Sequence, residues 1–413
     1  MSATQPYIPQ GGQRATSSER FRRSRLDELR VWWREIDRVL LGLVLLLMLI
    51  GTAAVATASV ASARRLSTAD VSLPDLYFYW QHIKWQVAGL AVMLGASTLS
   101  VDNARRLGIM LAGGMLVLLV LVPLIGVEVN GARRWINLGM RFQPSEFLKP
   151  AFAIALAWVL TWRLRDPSMP VIAIASGAMA VVGLLLMAQP NLGDAVLFAG
   201  VWFVMIMLAG LSLPRIGVVI AGGLGVITLA YFLYDNARNR IDAFFGGGTA
   251  FDQVDLAERT LLAGGWSGTG MWLGIRKLKL PEAHTDYIFS VIGEEFGLLI
   301  CMLVVVLYLA LIVRVLVRVT SEDNLFIVLA ATGLATQVGG QAFINILVNL
   351  QLFPSKGMTL PLVSYGGSST IAICLTVGLL LAITRRNPFL SRKSRGLRAL
   401  LAETLPKREG AGS

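Results

Sequence analysis

The chain has 413 residues, of which 55% are hydrophobic and only 15% are charged. Soluble globular proteins carry roughly 25% charged residues, so this composition excludes an ordinary soluble domain. The formal net charge of +12 comes from basic tails and short loops, a distribution that membrane topology and anionic headgroups explain without a nucleic-acid partner. The two cysteines, Cys301 and Cys374, lie inside apolar segments and give neither a disulfide framework nor a metal signature.

Long apolar segments follow one another along the chain. A helix needs about 20 mostly apolar residues to cross the hydrocarbon core of a bilayer, and ten segments meet or approach that length. They lie at 39–62, 83–101, 107–127, 146–162, 169–188, 193–211, 215–234, 289–313, 325–348 and 367–384. We therefore predict an all-α polytopic membrane protein with one domain of ten transmembrane helices over residues 39–384.

Both ends of the chain, 1–38 and 385–413, are polar and basic. Cytoplasmic flanks of membrane helices carry an excess of Lys and Arg, so we expect both tails to be cytoplasmic, which requires an even number of spans. The longest connection, 235–285, then lies outside the membrane, between the seventh and eighth spans. Its aromatic residues and a short amphipathic helix near Gln253–Ala263 predict a folded cap rather than a disordered loop.

The first polar group on the outer side is NGARRWINLGMRFQPSEFLKP, from Asn130 to Pro150. Ser145 is placed to cap the helix that follows. Glu146 and Lys149 are three residues apart, so they share one helical face just inside the membrane boundary. Ionisable groups at this depth are costly and usually face a cavity, and cations beside a helix N-terminus suit a pyrophosphate. The residues that we expect to bind substrate here are Arg133, Arg134, Trp135, Gln143, Ser145, Glu146 and Lys149.

A second polar group, AQPNLGDA from Ala188 to Ala195, forms an outer turn between two spans. Gln189, Asn191 and Asp194 are polar where lipid is near. A tight turn explains this composition as well as a binding site does, and the sequence leaves both interpretations open.

The third group is LPEAHTDYIFSVIGEEFG, from Leu280 to Gly297. If the next span begins near Thr285, that residue can cap it and Asp286 lies in its first turn, where the helix dipole favours a carboxylate. Capping does not explain His284, so we predict Asp286 as a general base and His284 as a substrate-binding residue. Glu294 and Glu295 lie deeper and are expected to face a partner within the helix bundle.

The fourth group is FPSKGMTLPLVSYGGSSTIAIC, from Phe353 to Cys374. Its two prolines and first glycine forbid a straight helix, and irregular backbone at membrane depth is tolerated only where it is buried in protein or lines a cavity. Close helix packing also explains the glycines. The candidate substrate-binding residues in this group are Lys356, Ser364, Gly366, Gly367 and Ser368.

The first, third and fourth groups resemble the three signature regions of the SEDS family (shape, elongation, division and sporulation), and the resemblance covers nearly all of 35–386. It implies a ten-helix SEDS fold and a peptidoglycan glycosyltransferase that polymerises lipid II at the outer face of the bacterial inner membrane. The implied partners are a class B penicillin-binding transpeptidase and other divisome membrane proteins. The motifs are more similar to those of cell-division members than to those of elongation members. One departure is Asn191, where the family more often has Asp.

The resemblance also implies roles for individual residues. The family's catalytic aspartate matches Asp286, and its outer-loop arginine and its Glu–Lys pair match Arg134, Glu146 and Lys149. Asp286 would take the proton from the acceptor sugar's 4-hydroxyl as it attacks the donor's anomeric carbon, with inversion. Cationic side chains, with or without a divalent cation such as Mg or Mn, would stabilise the departing undecaprenyl pyrophosphate.

Two other functions stay open from the residues alone: a transporter that moves lipid II across the membrane, and a scaffold without catalysis. All four polar groups map to the predicted outer face, and we find no internal repeat. Alternating-access carriers instead place their sites near the midplane on repeat-related broken helices. These two observations favour the polymerase.

Overall fold

The computed structural model describes residues 25–67, 72–129, 132–137, 139, 141–211, 213–245, 251–354 and 357–385. Residues 1–24 and 386–413 of the predicted tails therefore lie outside the described residues. The helices are α1 (Arg25–Glu35), α2 (Arg38–Leu66), α3 (Tyr77–Ser97), α4 (Val101–Ile125), α5 (Pro144–Thr161), α6 (Val171–Ala188), α7 (Leu192–Leu208), α8 (Leu213–Leu233), α9 (Asp235–Phe244), α10 (Phe251–Ala263), α11 (Ile288–Val319), α12 (Leu325–Asn349) and α13 (Gly367–Ile383). Three short strands between α4 and α5 are β1 (Val127–Val129), β2 (Ala132–Asn137) and β3 (Arg141–Phe142).

Seven of the described helices are long and apolar enough to cross a membrane, namely α2, α4, α5, α6, α8, α11 and α12. Two shorter apolar helices are α7 and α13. Together with α3, these helices lie over all ten apolar segments of the sequence. A mostly helical chain with seven candidate membrane spans is therefore confirmed, whereas the count of ten spans stays a prediction. Helix α3 begins at Tyr77 rather than near residue 83, and one face of its aromatic and polar first turns is packed inside the protein, with Phe78 and His82 buried.

Helix α12 lies at the centre of the bundle, packed against α5, α7, α11 and α13. Around it, α3 packs along α13 and α4 packs along α5. A helix surrounded by other helices is expected to be apolar on all sides, and residues such as Leu334 and Val338 of α12 are fully buried. The polar residues that α12 nevertheless carries all need partners inside the protein.

Asp37 fastens the beginning of α2 to the ends of two other helices. One carboxylate oxygen caps α2 by accepting from the Leu40 amide at 3.1 Å. The other accepts from Arg314 at 2.8 Å and from Arg318 at 3.0 Å, both on α11. Arg318 also donates to the Thr384 carbonyl after α13, at 2.7 Å. Burial alone would raise the pKa of Asp37, but the hydrogen bonds from Arg314 and Leu40 and the charge of Arg318 outweigh it and hold the pKa below its usual value.

Helix α8 lies at the edge of the bundle, where Ile216 and Val219 are its residues packed against the core. It packs mainly against α9, and none of its described side chains is buried. Large apolar residues such as Val218, Leu224 and Phe232 are more than half exposed along its length. A predominantly apolar exposed surface of this length is typical of a hydrocarbon environment rather than of water.

A small antiparallel sheet leads into α5. Strand β1 pairs with β2 through Val127 and Trp135, and β2 pairs with β3 through Ile136 and Phe142. A turn lies between β2 and β3, where Gly139 has φ +79°. The strands themselves were not predicted. They place the two arginines of β2 beside the start of α5 and half-bury Trp135.

Helix α11 is broken at Gly297, where φ is +84° and ψ is 171°. The amides of Leu298 and Leu299 therefore lose their helical partners, and the loop after α10 supplies others. They donate to the carbonyls of Gly265 and Trp266 at 3.0 and 3.3 Å. The sequence predicted an uninterrupted span here, and the break corrects that prediction.

Glu294 and Glu295 hold this same loop against α11. Glu294 accepts hydrogen bonds from the backbone amides of Arg276 and Lys277, at 2.6 and 2.9 Å. Glu295 accepts from the amide of Gly274 at 3.2 Å and forms an ion pair with the Lys277 side chain. The prediction that both acids face a partner within the helix bundle is wrong, since their partner is the loop that precedes α11.

Candidate active site

Lys149 is the centre of a buried charged cluster that joins α5, α7 and α12. Its Nζ lies 2.8 Å from Glu146 Oε1 and 2.9 Å from Asp194 Oδ1. The same Nζ lies 3.4 Å from Gln341 Oε1. The pairing of Glu146 with Lys149, predicted from their spacing, is confirmed. The Lys149 side chain is only 2% exposed, so two carboxylates surround one ammonium and the lysine is fully paired.

Asp194 is held in place by side chains from two helices. Ser145 Oγ donates to Asp194 Oδ2 at 2.8 Å, and Asn191 Nδ2 donates to the same oxygen at 2.7 Å. Gln143 donates to Ser145 Oγ at 2.9 Å. The prediction that Ser145 caps α5 is wrong. Helix α5 begins at Pro144, so Ser145 already lies in the first turn and its hydroxyl serves Asp194 instead.

Arg134 fastens the turn between α6 and α7 to the small sheet. Its guanidinium donates to the Gln189 carbonyl at 3.1 Å and to the Pro190 carbonyl. Arg133, one residue earlier, is exposed and forms an ion pair with Glu128 of β1 at 3.2 Å. The α6–α7 connection is therefore a tight turn whose Asn191 also holds Asp194 of the charged cluster, and a role of these residues in binding stays a prediction.

Asp286 lies in the turn that precedes α11 and is half-buried. Its carboxylate faces Gly357, where an added Cβ would lie 3.4 Å from Asp286 Oδ2. Its backbone carbonyl accepts hydrogen bonds from two side chains of α12, Asn345 at 2.8 Å and Asn349 at 3.2 Å. The structure therefore places the candidate base between the start of α11, the C-terminal end of α12 and the irregular segment before α13.

Two details of the predicted helix start are wrong. Helix α11 begins at Ile288 with Tyr287 at its N-cap and no side-chain cap, so Asp286 precedes the helix rather than lying in its first turn. Thr285 does not cap it, because its hydroxyl donates to the carboxylate of Glu282 at 2.8 Å. The turn before α11 is thus stabilised by contacts other than helix capping.

His284 is buried in an aromatic cluster beside Asp286. Its Nδ1 lies 2.8 Å from Ser62 Oγ, and its ring lies 4.3 Å from the Phe78 ring and 5.3 Å from the Tyr365 ring. Burial lowers the pKa of His284 to about 4, against an opposing effect of the Glu282 carboxylate. The imidazole is therefore neutral at pH 7, and its role in substrate binding stays a prediction.

Ser364 connects the irregular segment before α13 to the turn that carries Asp286. Its hydroxyl donates to the Thr285 carbonyl at 2.6 Å and accepts from the Leu360 amide at 2.8 Å. Because Ser364 is buried, these two bonds fix one backbone segment against the other. The structure thus gives Ser364 a supporting position one residue away from Asp286.

The remaining residues of the fourth group lie at the start of α13. Gly366 is the N-cap, Ser368 is buried, and a Cβ added to Gly367 would lie 3.2 Å from the Trp85 ring. Close packing against Trp85 accounts for Gly367. The predicted cation Lys356 lies outside the described residues.

Four amide side chains on α12 were not recognised in the sequence. Gln337, Gln341, Asn345 and Asn349 recur every four residues, so they line one face of the helix, and all are buried. Gln341 donates to the Thr359 carbonyl at 3.0 Å. A signal was present, since amides at helical spacing inside an apolar segment must find internal partners.

Two of these amides, Gln341 and Asn345, connect the two halves of the site. Gln341 contacts Lys149, and Asn345, one turn further along α12, contacts Asp286. In the described part of the chain, no three His, Cys, Asp or Glu side chains are grouped to hold a metal ion. The carboxylate pair of the cluster, Glu146 and Asp194, already holds Lys149, so these residues do not fit a resident Mg or Mn ion.

Residues 37–388 match the family of FtsW, RodA and SpoVE, described as cell cycle proteins. The chain is 34% identical over 381 residues to the probable peptidoglycan glycosyltransferase FtsW of Caulobacter vibrioides, covering 91% of this chain and 95% of that protein. It is 37% identical over 327 residues to the protein of the same description from Hahella chejuensis, covering 75% and 81%.

Solved structures give the same assignment. One similar chain comes from a structure of a peptidoglycan synthase complex, reported under the words "structural coordination of polymerization and crosslinking". Its TM-score is 0.70 at 29% identity, and the match covers 84% of this chain and 97% of that one. The rod shape determining protein RodA of Thermus thermophilus has a TM-score of 0.63 at 28% identity, covering 85% and 97%. The family match covers most of the chain, and the first, third and fourth polar groups lie at one site. The chain belongs to the SEDS family of FtsW, RodA and SpoVE.

Proposed function

We propose that the chain is a peptidoglycan glycosyltransferase that polymerises lipid II into glycan strands during septal wall synthesis. Its similarity to probable peptidoglycan glycosyltransferases named FtsW supports this activity, and identity to them is higher than to the solved RodA. The observation that carries the mechanism is the position of Asp286, whose carboxylate faces Gly357 while two amides of α12 hold its carbonyl.

Asp286 acts as the general base. It removes the proton from the 4-hydroxyl of the acceptor sugar, whose oxygen forms a bond to the anomeric carbon of the donor glycan. The bond from that carbon to the pyrophosphate breaks, undecaprenyl pyrophosphate leaves with the electron pair, and the anomeric centre is inverted. General-base catalysis typically contributes about 100- to 10,000-fold to the rate.

The developing negative charge on the pyrophosphate needs cationic partners. Lys149 is already paired with Glu146 and Asp194, so we assign it to fixing the charged cluster rather than to binding the leaving group. Among the residues that the structure describes, the candidates for binding the pyrophosphate are Arg133, which is exposed on the small sheet, and Arg134.

We place both tails in the cytoplasm of the bacterial inner membrane and count ten spans, α2 to α8 and α11 to α13. The basic connections at 105–106, 163–165 and 314–318 support this orientation. Asp286 and the loop from α9 to α11 then lie on the outer side, where both lipid-anchored substrates meet. We further propose that the protein works at the division septum.

We propose a class B penicillin-binding transpeptidase as the partner, together with other divisome membrane proteins. The support is the likeness to a chain from a peptidoglycan synthase complex described as coordinating polymerization and crosslinking. Glycan strands leaving the outer site would then meet the crosslinking enzyme on the same side of the membrane.

The decisive experiment is polymerisation by the purified full chain in nanodiscs with lipid II. We expect Asp286→Ala to lose activity by at least about 100-fold while its thermal unfolding midpoint stays near that of the unmodified protein. Asp255→Ala is the matched control, because Asp255 lies on α10 and pairs with Arg259 rather than with the site. Full activity of Asp286→Ala would refute the assignment of the base.

The same preparations distinguish the two other functions. A transporter would move lipid II across sealed vesicles without forming glycan strands, whereas a scaffold would do neither. Strand formation by the purified chain, alone or with its transpeptidase, together with no translocation, is the expected result.

A further inference from the structure

The hydrogen bonds at the start of α11 depart from those of a helix. In a regular helix, the Asp286 carbonyl would accept from the amide of Ser290, four residues later. Instead the Ser290 amide donates to the Tyr287 carbonyl at 3.1 Å, and the carboxamide of Asn349 stands between Ser290 and the Asp286 carbonyl. Its Nδ2 donates to the Asp286 carbonyl at 3.2 Å, and its Oδ1 accepts from the Ser290 amide at 3.2 Å and from the Ser290 hydroxyl at 2.7 Å.

Asn345 donates a second hydrogen bond to the same carbonyl. Its Nδ2 donates to the Asp286 carbonyl at 2.8 Å and to the Met358 carbonyl at 2.6 Å. Asn349 Nδ2 in turn donates its second hydrogen to the Asn345 carbonyl at 2.9 Å. Each NH2 group has two hydrogens, so both donors are fully used.

Because these amides are buried, their hydrogen bonds matter for the stability of the site. Asn345 is 2% exposed and Asn349 is fully buried. A buried amide is unfavourable unless it is hydrogen-bonded, and a satisfied polar network in a low-dielectric interior is rigid. Two such side chains directed at one carbonyl fix its position more tightly than packing of apolar side chains would.

We propose that Asn345 and Asn349 are positioning residues for Asp286. By holding its carbonyl, they keep Asp286 out of the helix and direct its carboxylate towards the segment at Gly357. The same Asn345 amide also donates to the Met358 carbonyl, next to Gly357. It therefore connects the base to the backbone segment that the base faces. This inference rests on the proposed function, in which Asp286 is the base.

The experiment compares Asn345→Leu and Asn349→Leu with Gln337→Leu in nanodiscs with lipid II. Gln337 is the matched control, because it is a buried amide on the same face of α12 whose contact is with Thr376, at 3.5 Å. We expect kcat of both asparagine variants to fall about 10- to 100-fold with KM for lipid II unchanged within twofold, since misplacing a catalytic group by about 1 Å has effects of this size. Gln337→Leu is expected to keep its rate.

Asn349→Asp tests the same idea with little change of volume. Its carboxylate can still accept from Ser290 but cannot donate to the Asp286 carbonyl, so we expect the same loss of kcat even where Asn349→Leu fails to fold. Unchanged kcat in the asparagine variants beside an inactive Asp286→Ala would overturn this inference alone, as would a change confined to KM. An active Asp286→Ala would overturn the proposed function and this inference with it.

Discussion

At the scale of single residues, Lys149 is retained in the interior by partners from two helices. Taking an ammonium and two carboxylates out of water costs several kcal/mol per ion, which their attraction offsets only in good geometry. Glu146 belongs to the same helix, but Asp194 belongs to α7, so the cluster also fixes α5 relative to α7. Removing one member leaves the others buried without compensation.

We therefore expect Lys149→Met to reduce the free energy of unfolding by about 3–5 kcal/mol. Thermal unfolding in one detergent measures this, and adding Asp194→Asn to the variant should recover part of the loss. Lys84→Met, at an exposed position of α3, is the control and should change stability by less than about 0.5 kcal/mol. Equal midpoints for Lys149→Met and the unmodified chain would contradict the role given to the cluster.

His284 predicts a pH dependence of stability. Its pKa in the folded protein, about 4, lies below the usual value of 6.5 for histidine, so the unfolded chain binds the proton more readily. Stability therefore falls as pH decreases from about 6.5 to about 4, by on the order of 3 kcal/mol at most. Thermal midpoints of the unmodified chain and of His284→Asn should converge over this range. Parallel pH profiles of the two proteins would show that His284 is not the group responsible.

At the scale of elements, the broken helix α11 and the loop that precedes it form one structural unit. Loop carbonyls satisfy the amides after the break, and Glu294 and Glu295 bind loop amides in return. The backbone angles of Gly297 lie in a region essentially restricted to glycine. The turn that carries Asp286 emerges from this unit, so its position depends on the break.

Gly297→Ala tests that dependence. Its Cβ would overlap the amide nitrogen of Gly268, and the backbone angles are themselves unfavourable by about 1–3 kcal/mol for alanine. We expect faster amide hydrogen exchange over residues 265–274 and at Leu298 and Leu299. Gly177→Ala is the control, because open space surrounds that position of α6. Unchanged exchange in Gly297→Ala would mean that the loop is held without the break.

The sequence predicted the apolar helices well because hydropathy is a local property, and it predicted the Glu146–Lys149 pair because helical spacing is local too. It failed where the deciding partner is distant. The amides that hold Asp286 come from Asn345 and Asn349, 59 and 63 residues later, and the break at Gly297 depends on carbonyls of a separate loop. The capping prediction for Ser145 failed for the same reason, since Asp194 uses its hydroxyl, whereas the hydroxyl of Thr285 goes to the nearby Glu282.

At the scale of the whole molecule, Asp37 connects elements that are far apart in the sequence. It joins the start of α2 to the end of α11, and Arg318 extends the connection to the end of α13. The Asp37 side chain is 1% exposed, whereas Arg314 is 37% exposed. The pair with Arg318, at 15% exposure, is therefore the better shielded from water, whereas the contact with Arg314 is the shorter, at 2.8 Å.

Asp37→Asn separates the ionic contribution from the cap, because asparagine also caps helices. We expect a loss of about 3 kcal/mol in the free energy of unfolding, since two arginines lose a buried carboxylate. Asp102→Asn is the control: its pair with Arg105 is a surface pair, with Asp102 69% exposed, and should contribute less than about 1 kcal/mol. Similar effects of both substitutions on the unfolding midpoint would contradict the special role of Asp37.

The backbone contact between α11 and the loop that precedes it also limits which residues can replace those in the sequence. At Gly264 an added Cβ would overlap the Gly293 carbonyl oxygen, and at Gly297 it would overlap the loop backbone, so two main chains touch with no side chain between them. In an ordinary core, one large residue can be exchanged for another while its neighbours adjust. Where one backbone contacts another, no side chain can move aside. These positions should therefore reject every residue except glycine. Exposed residues of the same loop, such as Leu273 and Ile275, remain free to change.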